Sequence, residues 1–408
     1  NTARNMESAI ANMQRARHVV PIWIMQQDTA ITFFPEPEPG QFDLLIIDEA
    51  SQCDISMLNL IYRSKKCMIV GDENQTSVSV QPNLFPIERT NQLLDRHMMH
   101  HPFRQQFNIN NRTTSIYTLS GVIYPNIVTL REHFRCRPEI IEFCNRYVYN
   151  NQIIPLKTAT DDRYGPAVEV QYVEDQGEDP KKARIVDKVL KLILDLITDY
   201  ESGHLPELPT IGVLTLDASH EAHRELLIKK LTAHPQIRKY EDELNILVGT
   251  SRKFQGDERD VMILTISAHH KIDKQGRMRP PRAVMGEEML RIYNVAASRA
   301  REKSILLHSI HPDAVALMNP ECLRSKLIHY YEDHQAEDQE RIDINALKTK
   351  AEMCSPLSKE VCDGLIHMGW AKHLQSNLKI GPYRIDLAII KDGRKLAIMC
   401  DDKMMHSA

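Results

Sequence analysis

Residues 42–50 read FDLLIIDEA, an apolar run that ends on two adjacent carboxylates, Asp48 and Glu49. The run Leu44–Ile47 has the unbroken aliphatic character of a fully buried parallel strand, so Asp48 is expected at the carboxyl end of that strand. Ligands of open α/β sheets bind at this edge. About two dozen residues further on, GDENQ (71–75) repeats the pattern after another predicted strand. The alternative interpretation is that these acids are ordinary surface residues following buried strands.

The chemistry of the two carboxylates suits phosphoryl transfer. An aspartate at a strand end can hold Mg²⁺ through a water molecule. A neighbouring glutamate can orient or deprotonate the attacking water. The pattern therefore indicates the metal-binding and water-positioning half of a nucleoside triphosphatase.

Composition places the chain among ordinary globular proteins. It has 408 residues, of which 42% are hydrophobic and 26% charged, enough for two or three domains. Its apolar runs are too short for a membrane helix and the N-terminus has no apolar signal core, so we expect a soluble, cytoplasmic protein without a membrane partner. The eight cysteines contain no C-x-x-C pair, which argues against a zinc ribbon and a disulfide framework.

The net charge of −4 hides an uneven distribution. Residues 251–303 contain twelve Lys or Arg against seven Asp or Glu. Combined with suitable motifs, such an excess indicates a phosphate-binding strip. Without them, it indicates a solvated face.

Apolar segments alternate with helical patterns along much of the chain, which predicts a mainly parallel sheet. The predicted strands are 19–25, 44–47, 67–71, 127–130, 167–173, 211–216, 244–250, 260–266 and 303–309, and the predicted helices include 138–149, 181–202 and the segment around 293–301. An acidic helical stretch, 331–351, leads to a last helix (355–367). Two strands joined by Asp392-Gly393 then follow, which predicts a hairpin.

Five blocks occur in one order: LIIDEASQ (45–52), VGDENQ (70–75), LREHFRCRPEII (130–141), VGTSRKFQGDERDVMIL (248–264) and YNVAASRAREK (293–303). This series resembles the C-terminal motifs of superfamily 1 nucleic-acid helicases, in the branch of the nonsense-mediated-decay helicase and its bacterial AAA-type relatives. The resemblance covers about residues 40–310. It implies two RecA-like domains that clasp ATP and move along nucleic acid.

The resemblance assigns roles to individual residues. Asp48 and Glu49 would be the Mg²⁺-binding and water-activating acids. Gln75 would sense the γ-phosphate, since an amide can donate to phosphate and accept from water. Arg135 and Arg299 would be arginine fingers, because guanidinium stays charged and binds phosphate as a fork.

Four further positions follow from the same motifs. Phe134 would stack on adenine and Glu258 would accept from the ribose hydroxyls. Thr250 and Gln255 would contact nucleic acid and couple it to hydrolysis. Taken singly, each candidate has a structural alternative: a salt-bridged surface arginine, a helix cap at Gln75 or a core position for Phe134.

The phosphate-binding loop G-x-x-x-x-G-K-[ST] does not occur in the sequence. Since the first residue is Asn and the chain opens within a helical pattern, we expect that loop upstream of Asn1. The 408 residues alone are then expected to bind ATP poorly and to hydrolyse little.

The tail has a second resemblance, to the restriction-endonuclease-like domain related to very-short-patch-repair nucleases. Glu360, Asp386 and Asp401 would be its Mg²⁺-binding carboxylates. Where the family has Glu this chain has Met399, and a thioether is a poor ligand for a hard cation. The resemblance therefore implies either a weakened nuclease or an inactive one.

The expected fold class is α/β, with RecA-like P-loop helicase domains, the first partial and lacking its phosphate loop, and a truncated nuclease-like domain. The boundaries are 1–125, 126–330, a helical linker 331–352, and 353–408. ATP and Mg²⁺ are the expected cofactors, and single-stranded or duplex nucleic acid the partner, with DNA favoured over RNA. The alternatives are a non-catalytic nucleic-acid-binding scaffold of a defence or repair assembly and a Mg²⁺-dependent nuclease loaded by the helicase.

Overall fold

The chain divides into two compact units, Asn1–Thr129 and Leu130–Ala408. The structure is a computed structural model. It describes residues 2–17, 19–75, 87–107, 114–124, 126–157, 163–174, 184–216, 221–344, 356–368, 370, 373–380, 383–391 and 394–400.

The first unit combines short helices with a two-stranded parallel sheet, β1 (Leu45–Ile47) and β2 (Cys67–Ile69). Its helices are α1 (Thr2–Ala16), α2 (Gln27–Phe33), α3 (Leu58–Tyr62), α4 (Ile87–Met98) and α5 (Ile116–Ile123), with 3₁₀ turns at Ala50–Gln52, Ile55–Met57 and Arg104–Phe107. A small core joins one face of the sheet to α3 and α5. Its buried members are Ile47, Ala50, Met57, Leu60, Ile116 and Leu119.

Two expectations for this unit are wrong. Residues 19–25 form no strand, and Ile24 is 96% exposed. Pro21 removes a backbone donor there, and no described strand pairs with the segment. Within Leu44–Ile47 only Ile47 is buried, whereas Ile46 is 59% exposed, because the described part of the unit covers only one face of this sheet.

Before the tail, the second unit contains the strands β3 (Glu132–His133), β4 (Ile154–Pro155), β5 (Val168–Tyr172), β6 (Ile211–Thr215), β7 (Leu247–Gly249), β8 (Arg259–Ile266), β9 (Lys271–Ile272), β10 (Met278–Arg279) and β11 (Ala300–His308). Five of them form a parallel sheet in the order β5-β11-β8-β6-β7, and the others form the pairs β3-β4 and β9-β10. Its helices are α6 (Pro138–Tyr147), α7 (Arg184–Glu201), α8 (Glu221–Ala233), α9 (Pro235–Lys239), α10 (Glu241–Leu244), α11 (Glu287–Ala297), α12 (Pro312–Ala316) and α13 (Leu323–Ile344). The predicted alternation and parallel sheet are confirmed, although residues 127–130 form no strand.

Helices cover both faces of this sheet. Along the central strand β8, Met262 and Leu264 share a core with α6, α11 and α13, whereas Val261 and Ile263 share a core with α7 and α8. Side chains of a strand alternate between the two faces, which explains why consecutive apolar residues are all buried here. The result is a three-layer α/β/α unit that holds the ends of its strands in fixed positions.

The tail consists of α14 (Pro356–His367) and an antiparallel sheet of β12 (Leu374–Ile380), β13 (Tyr383–Lys391) and β14 (Arg394–Ile398). Lys391 pairs with Arg394, so the predicted hairpin is confirmed. Strand β12 was not expected, because its alternation of polar and apolar residues is short and has no turn signal before it.

Candidate functional site

The two acidic segments of the first unit lie side by side. Strands β1 and β2 run parallel, with Leu45 opposite Cys67. The pairing continues past the strands, since Val70 N donates to Ile47 O and Ala50 N donates to Val70 O, both at 2.8 Å. Asp48 therefore lies at the carboxyl end of β1, as predicted, next to the segment that follows β2.

Glu49 adopts a left-handed backbone conformation, with φ of 52°. Such a conformation is uncommon for residues other than glycine and costs on the order of 1–3 kcal/mol. The turn is supported by local bonds: Glu49 N donates to Asp48 Oδ1 at 2.9 Å, and Gln52 Nε2 donates to Glu49 Oε2 at 3.2 Å. These contacts fix where both carboxylates point, while Asp48 remains exposed.

Gln75 lies in a tight loop organised by Asp72. Its side-chain Nε2 donates to Asp72 Oδ2 at 3.1 Å, and Asn74 N donates to Asp72 Oδ1 at 2.9 Å. At Gly71 an added Cβ would lie 2.8 Å from the Tyr117 ring. The absence of a side chain there lets the loop approach the ring.

The electrostatic field around these segments is negative. Burial raises the pKa of Cys53 to about 11, with further contributions from Asp54, Glu49 and Asp48. Burial also raises the pKa of Tyr117, assisted by Glu73 and Asp72. A negative field with an exposed carboxylate suits Mg²⁺, which keeps several of its waters and needs only one or two protein carboxylates. Within the described residues no three His, Cys, Asp or Glu side chains form a metal-binding group.

In the second unit, two arginines from distant parts of the chain meet on one carboxylate. Arg135 Nε forms an ion pair with Glu258 Oε2, and Arg301 Nε donates to Glu258 Oε1 at 2.8 Å. The motifs suggested Arg135 and Glu258 but not Arg301. The sequence feature that pointed to Arg301 was its position two residues after Arg299, at the start of β11.

Lys157 and Asp260 hold this cluster in place. Lys157 Nζ donates to the carbonyl oxygens of Arg135 and Arg301 at 3.0 and 2.9 Å, and to Glu302 Oε1 at 2.6 Å. Asp260 Oδ1 accepts from Arg301 Nη1 at 3.3 Å. Lys157 was also missed, since it lies outside every motif.

The arginines of this cluster shift the pKa values of their neighbours. Burial opposes ionisation of Glu258, but the neighbouring Arg135 and Arg301 outweigh it and keep the pKa of Glu258 below its usual value. Burial, reinforced by Arg135, Lys157 and Arg299, lowers the pKa of His133 to about 4, against a smaller opposing effect of Glu258. His133 is therefore neutral at pH 7, and its Nε2 accepts from Cys136 N at 3.0 Å.

The remaining nucleotide-site candidates differ in exposure. Phe134 is 67% exposed, which excludes the core alternative. Arg299 is 2% exposed, its Nε donates to Val295 O at 3.1 Å, and its carbonyl oxygen accepts from Arg259 N at 3.1 Å. The accessible guanidiniums of the cluster are thus those of Arg135 and Arg301.

The predicted nucleotide and nucleic-acid residues lie at opposite edges of the second unit's sheet. Glu258 and Arg299 directly precede β8 and β11, at the amino edge. Thr250 directly follows β7, at the carboxyl edge. Residues 250–258 connect the two edges, with Gln255 between them and Phe254 packed against Gly212 of β6.

The structure describes Asp386 and Glu360 of the set predicted for the tail. Asp386 lies in β13, and its Oδ2 accepts from Cys400 N at 2.7 Å. Glu360 is exposed on α14 and Met399 is exposed after β14. Asp401 lies outside the described residues.

Comparisons with known proteins relate the chain to helicases. Residues 115–310 match the family described as AAA domain (AAA_12). The chain is 25% identical over 354 residues to the uncharacterized ATP-dependent helicase MG140 of Mycoplasma genitalium, covering 82% of this chain and 29% of that protein. Its homolog in Mycoplasma pneumoniae is 24% identical over 327 residues, covering 76% and 27%. The chain thus spans less than a third of the length of these relatives.

Among solved structures, the C-terminal domain of a possible DNA helicase from Lactobacillus matches 44% of this chain and 91% of that chain, with 18% identity and a TM-score of 0.26. An arterivirus helicase, nonstructural protein 10, matches 77% and 53%, with 11% identity and a TM-score of 0.30. The family match and the two mycoplasma relatives show that the chain is similar to ATP-dependent helicases. No helix in the described part of the chain is long and apolar enough to cross a membrane.

Proposed function

We propose that this chain is the C-terminal part of an ATP-dependent superfamily 1 helicase that moves along nucleic acid. Asp48 would hold the Mg²⁺ of ATP, and Glu49 accepts a proton from the attacking water. Gln75 positions that water, and Arg135 stabilises charge on the transferred phosphoryl group. Arg299, which is 2% exposed and bonded to Val295 O, would have to leave that position before it could act as the second arginine finger.

The cluster of Arg135, Glu258 and Arg301 carries the proposal. Three residues separated by up to 166 positions meet at one edge of the second unit's sheet, and two of them present accessible guanidiniums. Such a site favours an anion with several oxygens, because guanidinium binds phosphate in a planar fork.

A triphosphate would compete with Glu258 for Arg135. The Glu258 carboxylate keeps lone pairs in the plane that its two arginines do not occupy, so it can also accept from a ribose hydroxyl. The exposed ring of Phe134, next in sequence to Arg135, is available to stack on adenine.

In the first unit, Glu49 accepts the proton of the attacking water, and Gln75 orients that water. The left-handed turn at Glu49 and the bond from Gln52 hold its carboxylate beside Asp48. Bound Mg²⁺ would neutralise phosphate charge and hold its waters. Gln75, bonded to Asp72 in this structure, would exchange that bond for the phosphate and the water.

The decisive experiment measures nucleic-acid-stimulated ATP hydrolysis in the protein that contains this chain. Glu49→Gln is expected to lower kcat by about 10²–10⁴-fold with KM for ATP little changed, because the amide cannot accept the proton. Arg135→Ala is expected to lower kcat by about 10³-fold or more. Glu88→Gln, an exposed carboxylate of α4, is the matched control. Turnover unchanged by Glu49→Gln would refute the proposal.

The 408 residues alone are a separate case. Since their sequence has no phosphate-binding loop, we propose that they hydrolyse ATP only weakly. Turnover by the isolated chain that disappears on Glu49→Gln would contradict this expectation. If the larger protein binds nucleic acid but neither Glu49→Gln nor Arg135→Ala alters any ATP-dependent property, the scaffold alternative is favoured.

For the tail we propose a nuclease-like domain of reduced activity. The bond from Cys400 N to Asp386 supports it, because this bond holds the residues before Asp401 close to the Asp386 carboxylate. Metal-dependent nicking of single- and double-stranded DNA, compared with Asp386→Ala, tests the activity. Identical products from both proteins would remove the nuclease alternative.

A further inference from the structure

The carboxyl edge of the second unit's sheet carries a group of aromatic rings that no helicase motif includes. Tyr172 ends the edge strand β5, and its ring centroid lies 5.8 Å from that of His308 and 6.1 Å from that of His311. His270 lies 5.6 Å from His311. We call Tyr172, His270 and His311 the ring platform, with His308 beneath it.

The platform is partly open to solvent. Tyr172 is 39% exposed, and His270 and His311 are partly exposed. His308 is buried, and burial lowers its pKa to about 4 despite an opposing bond from Ile310, so it is neutral at pH 7. The rings meet edge to face, Tyr172 with His311 at 80° and His270 with His311 at 63°, so a base would stack on one ring of the platform at a time.

A basic hairpin follows the platform directly. His270 precedes β9, which pairs with β10 in an antiparallel hairpin. Asp273 organises the turn, accepting from Gln275 N and Arg277 N at 2.9 Å. The hairpin carries four cations against this one carboxylate, and all four are exposed: Lys271, Lys274, Arg277 and Arg279.

Asp273 pairs with two of the four cations. Its Oδ2 accepts from Arg277 Nε at 3.1 Å and from Arg279 Nε at 3.0 Å. Lys271 and Lys274 are therefore the cations that the hairpin best presents to an external anion. Two carboxylates lie near the platform: Glu174 is 3.7 Å from Arg184, and Asp313 is 3.6 Å from His311, which balances its charge only when the imidazole is protonated.

We propose that the ring platform and the basic hairpin form a contact surface for single-stranded nucleic acid, with a base stacking on Tyr172 and phosphates on Lys271 and Lys274. The surface shares the carboxyl edge with Thr250, which follows the opposite edge strand β7. Four strand spacings separate β5 from β7, or about 19 Å. Aromatic faces with adjacent cations are the means by which single strands are held without sequence preference.

This proposal rests on the proposed helicase function and adds to it a base-contacting site at the far end of that edge. It commits to single-stranded nucleic acid because Tyr172 supplies an exposed aromatic ring and the hairpin supplies the opposite charge to phosphate. A purely electrostatic site would need only the hairpin.

The test is binding of the full 408-residue chain to labelled oligodeoxythymidine and to an abasic oligonucleotide of equal length, measured by fluorescence anisotropy without nucleotide. Tyr172→Leu is expected to weaken binding of oligodeoxythymidine by about tenfold. It should leave binding of the abasic strand unchanged, and Tyr172→Phe should bind like the parent chain, because phenylalanine retains the ring.

The hairpin is tested through salt dependence. The double variant Lys271→Gln/Lys274→Gln is expected to weaken binding of both oligonucleotides and to reduce the slope of log affinity against log salt by about 1.4, since each lost phosphate contact on a single strand removes about 0.7. The matched control is Lys191→Gln/Lys229→Gln, which removes two exposed lysines from α7 and α8 and should change neither quantity.

Several outcomes would overturn the proposal. These are parent-like binding by Tyr172→Leu, equal weakening for the abasic strand, and a hairpin variant that matches the lysine control. Should Tyr172→Leu misfold, photocrosslinking of the unmodified chain to iodouracil-containing strands replaces it. Crosslinks in 168–174 or 267–280 support the proposal, and crosslinks confined to other peptides refute it.

The two proposals fail in different ways. If the chain binds neither oligonucleotide, the nucleic-acid part of the proposed function fails together with this inference. If the chain binds but the platform and hairpin variants do not differ from the parent, only the inference fails. The ATP hydrolysis expected to depend on Glu49 is measured separately and is unaffected by either result.

Discussion

Replacing Glu258 by glutamine removes one negative charge from between two guanidiniums while keeping the shape of the side chain. Arg135 and Arg301 both lose an ion pair, and each retains the possibility of a neutral hydrogen bond to the new amide oxygen. We expect Glu258→Gln to destabilise the second unit.

The structure sets the size of the effect. The side chains of Glu258, Arg135 and Arg301 are 31%, 35% and 41% exposed, so solvent screens both pairs. Partly exposed ion pairs contribute about 0.2–1 kcal/mol each, which gives about 1 kcal/mol for the two together. For a unit of this size the thermal midpoint should fall by about 2–4 °C.

The pH dependence follows from the pKa of Glu258. Burial opposes its ionisation, but Arg135 and Arg301 outweigh burial and hold the pKa below the usual value of 4.5. A lowered pKa in the folded state stabilises the protein above the unfolded pKa, and this contribution is lost as the pH falls through the folded pKa. The difference between parent and Glu258→Gln should therefore be constant near neutral pH and shrink below about pH 4.5.

Thermal unfolding followed by circular dichroism across this pH range is the assay. The control is Glu142→Gln, which breaks an exposed i,i+4 pair with Arg146 and should cost only about 0.3–0.5 kcal/mol. A midpoint for Glu258→Gln equal to that of the parent at neutral pH, or a difference that grows on acidification, would refute the reasoning.

Three further predictions concern other parts of the two units. Gly71→Ala should destabilise the first unit by about 1–3 kcal/mol, because the added Cβ would collide with the Tyr117 ring. The control is Gly121→Ala, whose Cβ would have nothing within 4 Å and which should be neutral or slightly stabilising. Equal unfolding midpoints for the two variants would contradict this prediction. Burial and nearby carboxylates raise the pKa of Cys53 to about 11, so its thiol should react slowly with iodoacetamide at mildly alkaline pH. Glu49→Gln removes one of these carboxylates and should speed the reaction. An unchanged rate would show that the Glu49 carboxylate lies too far from Cys53 to affect its pKa. Lys157→Met removes the donor of Arg135 O and of the Glu302 carboxylate, and one of the two donors of Arg301 O, which keeps the bond from Arg137 N. It should lower the thermal midpoint of the second unit, at a cost of about 1–3 kcal/mol, and an unshifted midpoint would show that water replaces the ammonium.

Much of the second unit could be predicted from the sequence because its signals are local. The run DVMILTI is apolar at every position but its first and the threonine, and a strand of that kind is stable only with both faces covered. Strand β8 is accordingly buried on both faces. In the first unit the same reasoning predicted a strand buried on both faces, but Leu44 and Ile46 are exposed. Burial of a face depends on which other elements pack against it, and the residues of the strand itself do not specify those elements.

The motif spacing likewise identified Arg135 and Glu258 but not the contact between them. Arg301 was passed over although it follows Arg299 by two residues, and Lys157 was missed because an ammonium bonded to carbonyl oxygens has no sequence signature. The partners lie far apart in the chain and come together only when β8 and β11 pair.

The sequence by itself determined the elements and their chemistry: the alternation of strands and helices, the acids at two strand ends and the order of the motifs. These depend on hydrophobic periodicity and residue type, which neighbouring residues express without help from the rest of the chain. The tertiary structure decided which charges meet and at which edge of the sheet they lie. Glu258 and Thr250 are eight residues apart, yet parallel pairing of their strands places them at opposite edges of the sheet.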